Sequence, residues 1–230
     1  MLFRVAETDQ TVSFSPRTLI IAGFTGRNKS AVDDHVRELV NQGIQAPESV
    51  PSFYLLAPDL LTHANHIEVP TPETSAEVEP VLLCLSEGWY VAVGSDHTAR
   101  DLERVDIEES KTVCPKPVST EVWPYEEVRR QWDEIIARSW ASIDGEEVLY
   151  QEAVLEELMP VPEIMQDFEQ ETREKTNGAA VFLGTVPLRT EGFIFTDRYR
   201  IELYDPTSAR RLSYSYRVER TEKLVDDVKK

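Results

Sequence analysis

Glu77 and Glu79 stand two residues apart in the run Ser75-Ala76-Glu77-Val78-Glu79-Pro80-Val81-Leu82-Leu83, which reads as a strand. Side chains at i and i+2 of a strand share a face, so the two carboxylates are expected side by side. Like charges on a partly buried face resist joint ionisation. A divalent cation removes that cost and calls for a third oxygen ligand. Asp96, in the turn Gly94-Ser95-Asp96-His97 after the next strand-like run, is the natural candidate. Oxygen-only ligation suits Mg²⁺, Mn²⁺ or Ca²⁺ better than zinc. The competing reading is a solvent-facing acidic row on an antiparallel sheet.

Other residues with chemical potential are less constrained. His35 and Glu38 lie three apart on a helix expected from about Ala31 to Asn41, capped by Ser30, and so share a face. They fit either a working pair or two surface groups. Lys111 precedes the proline-stiffened stretch Cys114-Pro115-Lys116-Pro117. It offers a fixed positive charge to an anion, or is a solvated surface lysine. Arg100 and Asp101 suggest an internal salt bridge that holds the loop carrying Asp96. His97 suits a supporting place beside that loop. His63 and His66 read as surface or packing residues.

The elements that must position these groups are mostly strands. Strands are expected at 2–5, 11–14, 18–23, 53–56 and 67–69, then as a hairpin of about 76–85 with 89–93 turned by Ser86-Glu87-Gly88. A second hairpin turns at Asp144-Gly145, and the last strands are 193–203 and 212–218. A short helix or turn is expected at 98–103, and helices at 124–131 and 161–174. Strands outnumber helices, and the helices are isolated. That argues for an α+β, mainly β domain built from hairpins. There is no P-loop, no Gly-x-Gly-x-x-Gly, no Gly-x-Ser-x-Gly and no cysteine pair at zinc spacing.

Composition narrows the partners. The 230 residues carry 42 acidic and 24 basic side chains, a formal charge of -18. Such a surface repels phosphate backbones and anionic membranes, so nucleic acid and membrane partners are not expected. An anionic substrate remains compatible, because a local cation reverses the field in one cleft. Two cysteines, Cys84 and Cys114, imply no disulfide framework and a reducing, cytoplasmic setting. No leader-like or membrane-spanning apolar run is evident.

Taken in order, these motifs resemble the fumarylacetoacetate hydrolase superfamily from about Gly23 to Val218. Ala76-Glu77-Val78-Glu79-Pro80-Val81 is similar to its Glu-x-Glu-Leu strand, whose carboxylates bind a divalent metal. Val93-Gly94-Ser95-Asp96-His97-Thr98-Ala99-Arg100-Asp101 is similar to its Gly-Asn-Asp-x-Ser-x-Arg-Asp segment, whose first Asp is the third ligand. Lys111 with Cys114-Pro115 resembles the Lys-Ser…Cys-Pro element. Asp144-Gly145-Glu146 with Gln151 resembles the Asn-Gly-Glu…Gln hairpin. Gly184-Thr185-Val186-Pro187 resembles the Thr-Gly-Thr-Pro turn.

The resemblance implies a roll or barrel of mixed β-sheet with a few peripheral helices. It divides the chain into an N-terminal cap region (1–50), a catalytic domain (51–218) and a charged tail (219–230). It implies a homodimer and a metal-dependent hydrolase that cleaves a C–C bond of a 2-oxo acid or acylpyruvate-like molecule through a metal-bound enolate. Mg²⁺, or Mn²⁺ or Ca²⁺, would sit on Glu77, Glu79 and Asp96. Lys111 would assist substrate binding and charge stabilisation, Thr185 and Gly184 would meet the substrate, and His35 with Glu38 would activate water. His97, Arg100 and Asp101 would support the ligands. A decarboxylase, hydratase, isomerase or non-catalytic binder on the same scaffold is the alternative. The sequence departs from the family pattern in five places: the Glu79–Asp96 spacing is short, Pro80 replaces a leucine, no lysine follows Phe53-Tyr54, Val186 is inserted, and His35 stands farther from Gly23 than is typical. These changes imply a divergent branch.

Overall fold

The computed structural model describes residues 1–41, 46–47, 49–172 and 176–221; within the helix Lys29–Asn41 it leaves the side chains of His35, Glu38 and Leu39 undescribed. The fold is mainly β, as expected. Its largest element is an eight-stranded mixed sheet in the order Thr11–Ser13, Leu2–Val5, Glu121–Pro124, Gly88–Ser95, Val78–Leu85, Ala179–Phe182, Thr18–Gly23, Ser52–Leu56. Strands from 1–50 and from 51–218 therefore share this sheet. A five-stranded sheet runs Glu146–Val154, Ile136–Ile143, Arg198–Asp205, Arg210–Arg220, His66–Val69. The strand Arg210–Arg220 runs into the segment expected to be a charged tail; residues 222–230 lie outside the described residues.

The large sheet is covered on both faces, which explains the apolar run of Val78–Leu85. Leu82, Cys84 and Val181 face a core shared with Ala137, Ile201 and Leu203 of the smaller sheet and with Ile164 and Phe168 of the helix Val161–Thr172. Val81, Leu83 and Phe182 face a second core with Phe3, Val5, Val12 and Phe14. A third cluster, with Tyr150, Tyr199 and Tyr216 at its centre, lies on the smaller sheet beside Ala76 and Ala99. No described helix is long and apolar enough to cross a membrane.

Several boundaries differ from the expectations. The first helix starts at Lys29, and Asn28 Oδ1, not Ser30, accepts from the Ala31 amide at 3.2 Å. Ile107–Thr112 is a helix, between the turn expected at 98–103 and the prolines after Cys114, where no element is expected from the sequence. Tyr125–Val128 is a single turn, shorter than expected. Residues 193–197 are not strand, and the strand begins at Arg198. The two hairpins form as read: Gly88–Ser95 returns along Val78–Leu85, and Asp144 and Gly145, at φ 52° and 86°, turn Ile136–Ile143 into Glu146–Val154.

Candidate metal centre

Glu79 lies in the strand Val78–Leu85, and Glu77 immediately precedes it. The hairpin pairs Val78 with Ser95 and Glu79 with Gly94. The Asp96 amide then donates to the Glu77 carbonyl at 3.0 Å, which carries the pairing one step further. The shortened connection thus delivers Asp96 to the two glutamates. One carboxylate oxygen from each of Glu77, Glu79 and Asp96 lies within 4.8 Å of the others. The donors are all hard carboxylate oxygens, so the set fits Mg²⁺, Mn²⁺ or Ca²⁺.

The cluster is threaded with cations. Lys111 Nζ pairs closely with Asp96 and lies 3.3 Å from Glu77 Oε2. Lys116, fully buried, places Nζ 2.8 Å from Asp96 Oδ1 and donates to the His97 carbonyl at 2.7 Å. Arg100 reaches Glu77 Oε1 at 3.1 Å, Glu103 Oε2 at 2.8 Å and Ser75 Oγ at 2.8 Å. The Arg100–Asp101 salt bridge expected from the sequence does not form. Adjacent helical residues point apart, whereas residues three apart meet, and Asp101 instead accepts from Thr71 Oγ1 at 3.0 Å.

These contacts set the charges. Burial raises the Glu79 carboxyl well above its ordinary range, and the charges of Asp96 and Glu77 raise it further. Burial pushes Asp96 the same way, but Lys111 and Lys116 outweigh it and hold Asp96 well below the usual carboxylate range. Burial opposes the Lys111 charge, yet Asp96 and Glu77 raise its pKa. His97 is buried between Tyr216 Oη at 3.0 Å and Thr74 Oγ1 at 2.9 Å. Burial, then Lys116 and Arg100, lower its pKa well below normal, so it is a neutral structural histidine.

Segments distant in sequence close the site. The Gly184 amide donates to Glu79 Oε2 at 2.8 Å. Thr185 Oγ1 donates to the Val78 carbonyl at 3.0 Å and accepts from Gln151 Nε2 at 2.9 Å. Gln151 also donates to the Val186 carbonyl at 2.7 Å, and its Oε1 accepts from the Val78 amide and Ser139 Oγ. One buried amide therefore ties the smaller sheet to the strand with Glu79 and to the turn with Gly184.

Above the cluster opens a cleft of about 1150 Å³, lined by Glu77, Glu79, Lys111, Gly184, Thr185 and Gln151 among others. Tyr54 and Phe193 also line it, as do Ala31 and Val32 in the helix Lys29–Asn41. The side chains of His35 and Glu38, further along this helix, lie outside the described residues. Sequence reasoning missed Lys116 and gave Gln151 no place among the site residues. Lys116 carries a visible signal, a lysine locked between two prolines; Gln151 stands in a strand that begins exposed and turns inward only at Tyr150, so its role is not marked locally.

Residues 22–216 match the family described as protein of unknown function, DUF2848. The chain belongs to this family. Among solved structures, similarity extends to a fumarylpyruvate hydrolase from Pseudomonas aeruginosa in complex with Mn²⁺ and pyruvate, at 20% identity and TM-score 0.57 over 95% of each chain. It extends to a maleylpyruvate hydrolase from a Sphingobium species in complex with manganese(II) and pyruvate, at 17% identity and TM-score 0.57, over 89% of this chain and 71% of that one. A 2-keto-3-deoxy-D-arabinonate dehydratase with magnesium and 2,5-dioxopentanoate matches at 13% identity and TM-score 0.61, over 89% and 73%. This DUF2848 chain thus has the fumarylacetoacetate hydrolase fold. A search of curated proteins finds no match.

Proposed function

We propose that this DUF2848 chain is a cytoplasmic, divalent-metal-dependent hydrolase that cleaves a C–C bond in a 2-oxo acid or acylpyruvate-like small molecule, acting as a homodimer. The observation that carries the reading is the convergence of Glu77, Glu79 and Asp96 to within 4.8 Å at the cleft. Those three residues would hold Mg²⁺, or Mn²⁺ or Ca²⁺. When bound, the ion supplies Lewis acidity toward a substrate chelating through its carboxylate and adjacent oxo oxygen.

The chain's own residues then divide the work. The Gly184 amide fixes Glu79, and Lys116 fixes Asp96. Lys111 and Arg100 keep positive charge beside the place where negative charge grows on the substrate oxygen. Hydrolysis adds water across the bond: hydroxyl goes to the acyl carbon, and the departing carbon takes a proton. His35 and Glu38 are assigned to orient and deprotonate that water on the family resemblance. Contact between Thr185 and the substrate carboxylate, assigned on the same ground, requires its hydroxyl to turn away from the Val78 carbonyl.

Replacing Glu79 by Gln should abolish divalent metal binding and activity, read by calorimetry with Mn²⁺ and by turnover of acylpyruvates. Unchanged Mn²⁺ affinity would sink the ligand assignment. The same scaffold supports decarboxylation, hydration or isomerisation, and product analysis decides among them. A non-catalytic role is the second reading, favoured by one observation: Lys111, Lys116 and Arg100 already pair with two of the three carboxylates, Glu77 and Asp96. Thermal melting separates the two. A rise in Tm with Mn²⁺ that grows with oxalate supports the enzyme, and no response to either supports the second reading.

A further inference from the structure

We infer that the substrate is a 2-oxo monocarboxylate whose far end is uncharged and apolar, held against Ile107 and Phe193. The inference rests on the proposed function and adds what the cleft selects.

Ile107 and Phe193 both line the cleft next to the carboxylate cluster. Ile107 lies one helical turn before Lys111, and residues four apart share a helix face. Phe193 lies with its ring centroid 4.2 Å from the Arg100 guanidinium that grips Glu77, and 46% of its surface remains exposed. The two apolar groups therefore adjoin the cations that hold the carboxylates, Ile107 on the helix of Lys111 and Phe193 against Arg100, and form apolar wall of the same cleft for the tail of a bound 2-oxo acid. A tail lying there takes the aromatic face out of water.

The charges around the cleft argue against a second carboxylate on that tail. Arg27 is forked onto Asp133 at 2.9 and 2.7 Å and also donates to the Leu158 carbonyl. Arg104 pairs with Glu73 at 3.2 Å. Arg100 is held by Glu77 and Glu103. Glu156 and Glu157 line the same cleft and make no ion pair among the described residues. A terminal carboxylate there would meet arginines already paired and the like charges of Glu156 and Glu157.

The cluster's own balance agrees. Four carboxylates (Glu77, Glu79, Asp96, Glu103) face three cations (Arg100, Lys111, Lys116). A divalent ion leaves one net positive charge, which a single substrate carboxylate closes. A second carboxylate would add a negative charge that no further cation of the cluster balances.

The test uses the full-length protein with Mn²⁺ and calorimetry of three unreactive ligands: oxalate, 2-oxoheptanoate and 2-oxoadipate. The last two differ mainly in ending with methyl or carboxylate. The expected result is that 2-oxoheptanoate binds at least about tenfold tighter than 2-oxoadipate. Phe193→Ala should weaken 2-oxoheptanoate by about tenfold and leave oxalate unchanged. Equal or tighter binding of 2-oxoadipate overturns the inference, as does its specific loss in Arg104→Ala, which would mark Arg104 as a carboxylate anchor. Indifference of 2-oxoheptanoate to Phe193→Ala overturns it also. Absence of Mn²⁺-dependent oxalate binding overturns the proposed function itself, and this inference with it.

Discussion

Gly184 holds its amide on Glu79 from a backbone conformation that side chains rarely adopt, with φ 108°. A Cβ there would lie 1.9 Å from Thr25 Oγ1, whose hydroxyl donates to the Leu183 carbonyl. Gly184→Ala must therefore displace either Thr25 or the turn. It should cost about 2 kcal/mol or more in urea unfolding and weaken Mn²⁺ binding, because Glu79 loses its fixed donor. A variant as stable as the parent would mean that the turn yields freely. Asp205 offers a pH test away from the cleft. Burial pushes its carboxyl up, but Ser208 Oγ, Gln131 Nε2 and the amides of Ser208 and Thr207 outweigh this and hold its pKa below the ordinary value. A depressed folded pKa contributes stability above the unfolded value, about 3.9, and loses it as pH falls through the folded pKa. Asp205→Asn should accordingly cost about 1–3 kcal/mol at pH 7, and its melting curve should converge on that of the parent in acid.

At the scale of elements, the helix Ile107–Thr112 aims Lys111. Asp106 caps it, accepting from the Glu109 amide at 2.9 Å. Asp106→Ala should cost about 1 kcal/mol. It should also weaken oxalate binding, because a six-residue helix without its cap no longer fixes the lysine. Unchanged oxalate affinity would show that the ion pairs alone hold Lys111. The sequence carried this helix in Asp106-Ile107-Glu108-Glu109, a cap followed by an acid three residues on. The signal was hidden because the prolines behind Cys114 draw the eye to an extended segment. The 77–96 hairpin was readable for the opposite reason. Period-two alternation and a tight turn fix which side chains face together, so Glu77, Glu79 and Asp96 could be associated before any fold was known. Asp144-Gly145 was readable because left-handed conformations at both positions demand that chemistry.

At the scale of the molecule, the mainly β character was legible and the layering was not. Both faces of the large sheet are buried, and alternation within Val78–Leu85 cannot say which core each face meets. The cations of the site were equally hidden. Lysine is seldom buried; the flanking prolines mark Lys116 as held in place but do not reveal that its partner, 2.8 Å away, is Asp96. Gln151 and Gly184 meet the cluster through contacts 73 and 105 residues apart in sequence, a separation that no spacing pattern spans. The hairpin itself carries one more consequence. Its exposed tip at Ser86-Glu87 begins seven residue steps beyond Glu79, about 23 Å along the strand. The ladder between Val78–Leu85 and Gly88–Ser95, not the length of the connection, sets where Asp96 arrives. The tip is therefore a place where natural or engineered insertions of chain can vary the outline of the protein while the carboxylate-bearing end stays as it is.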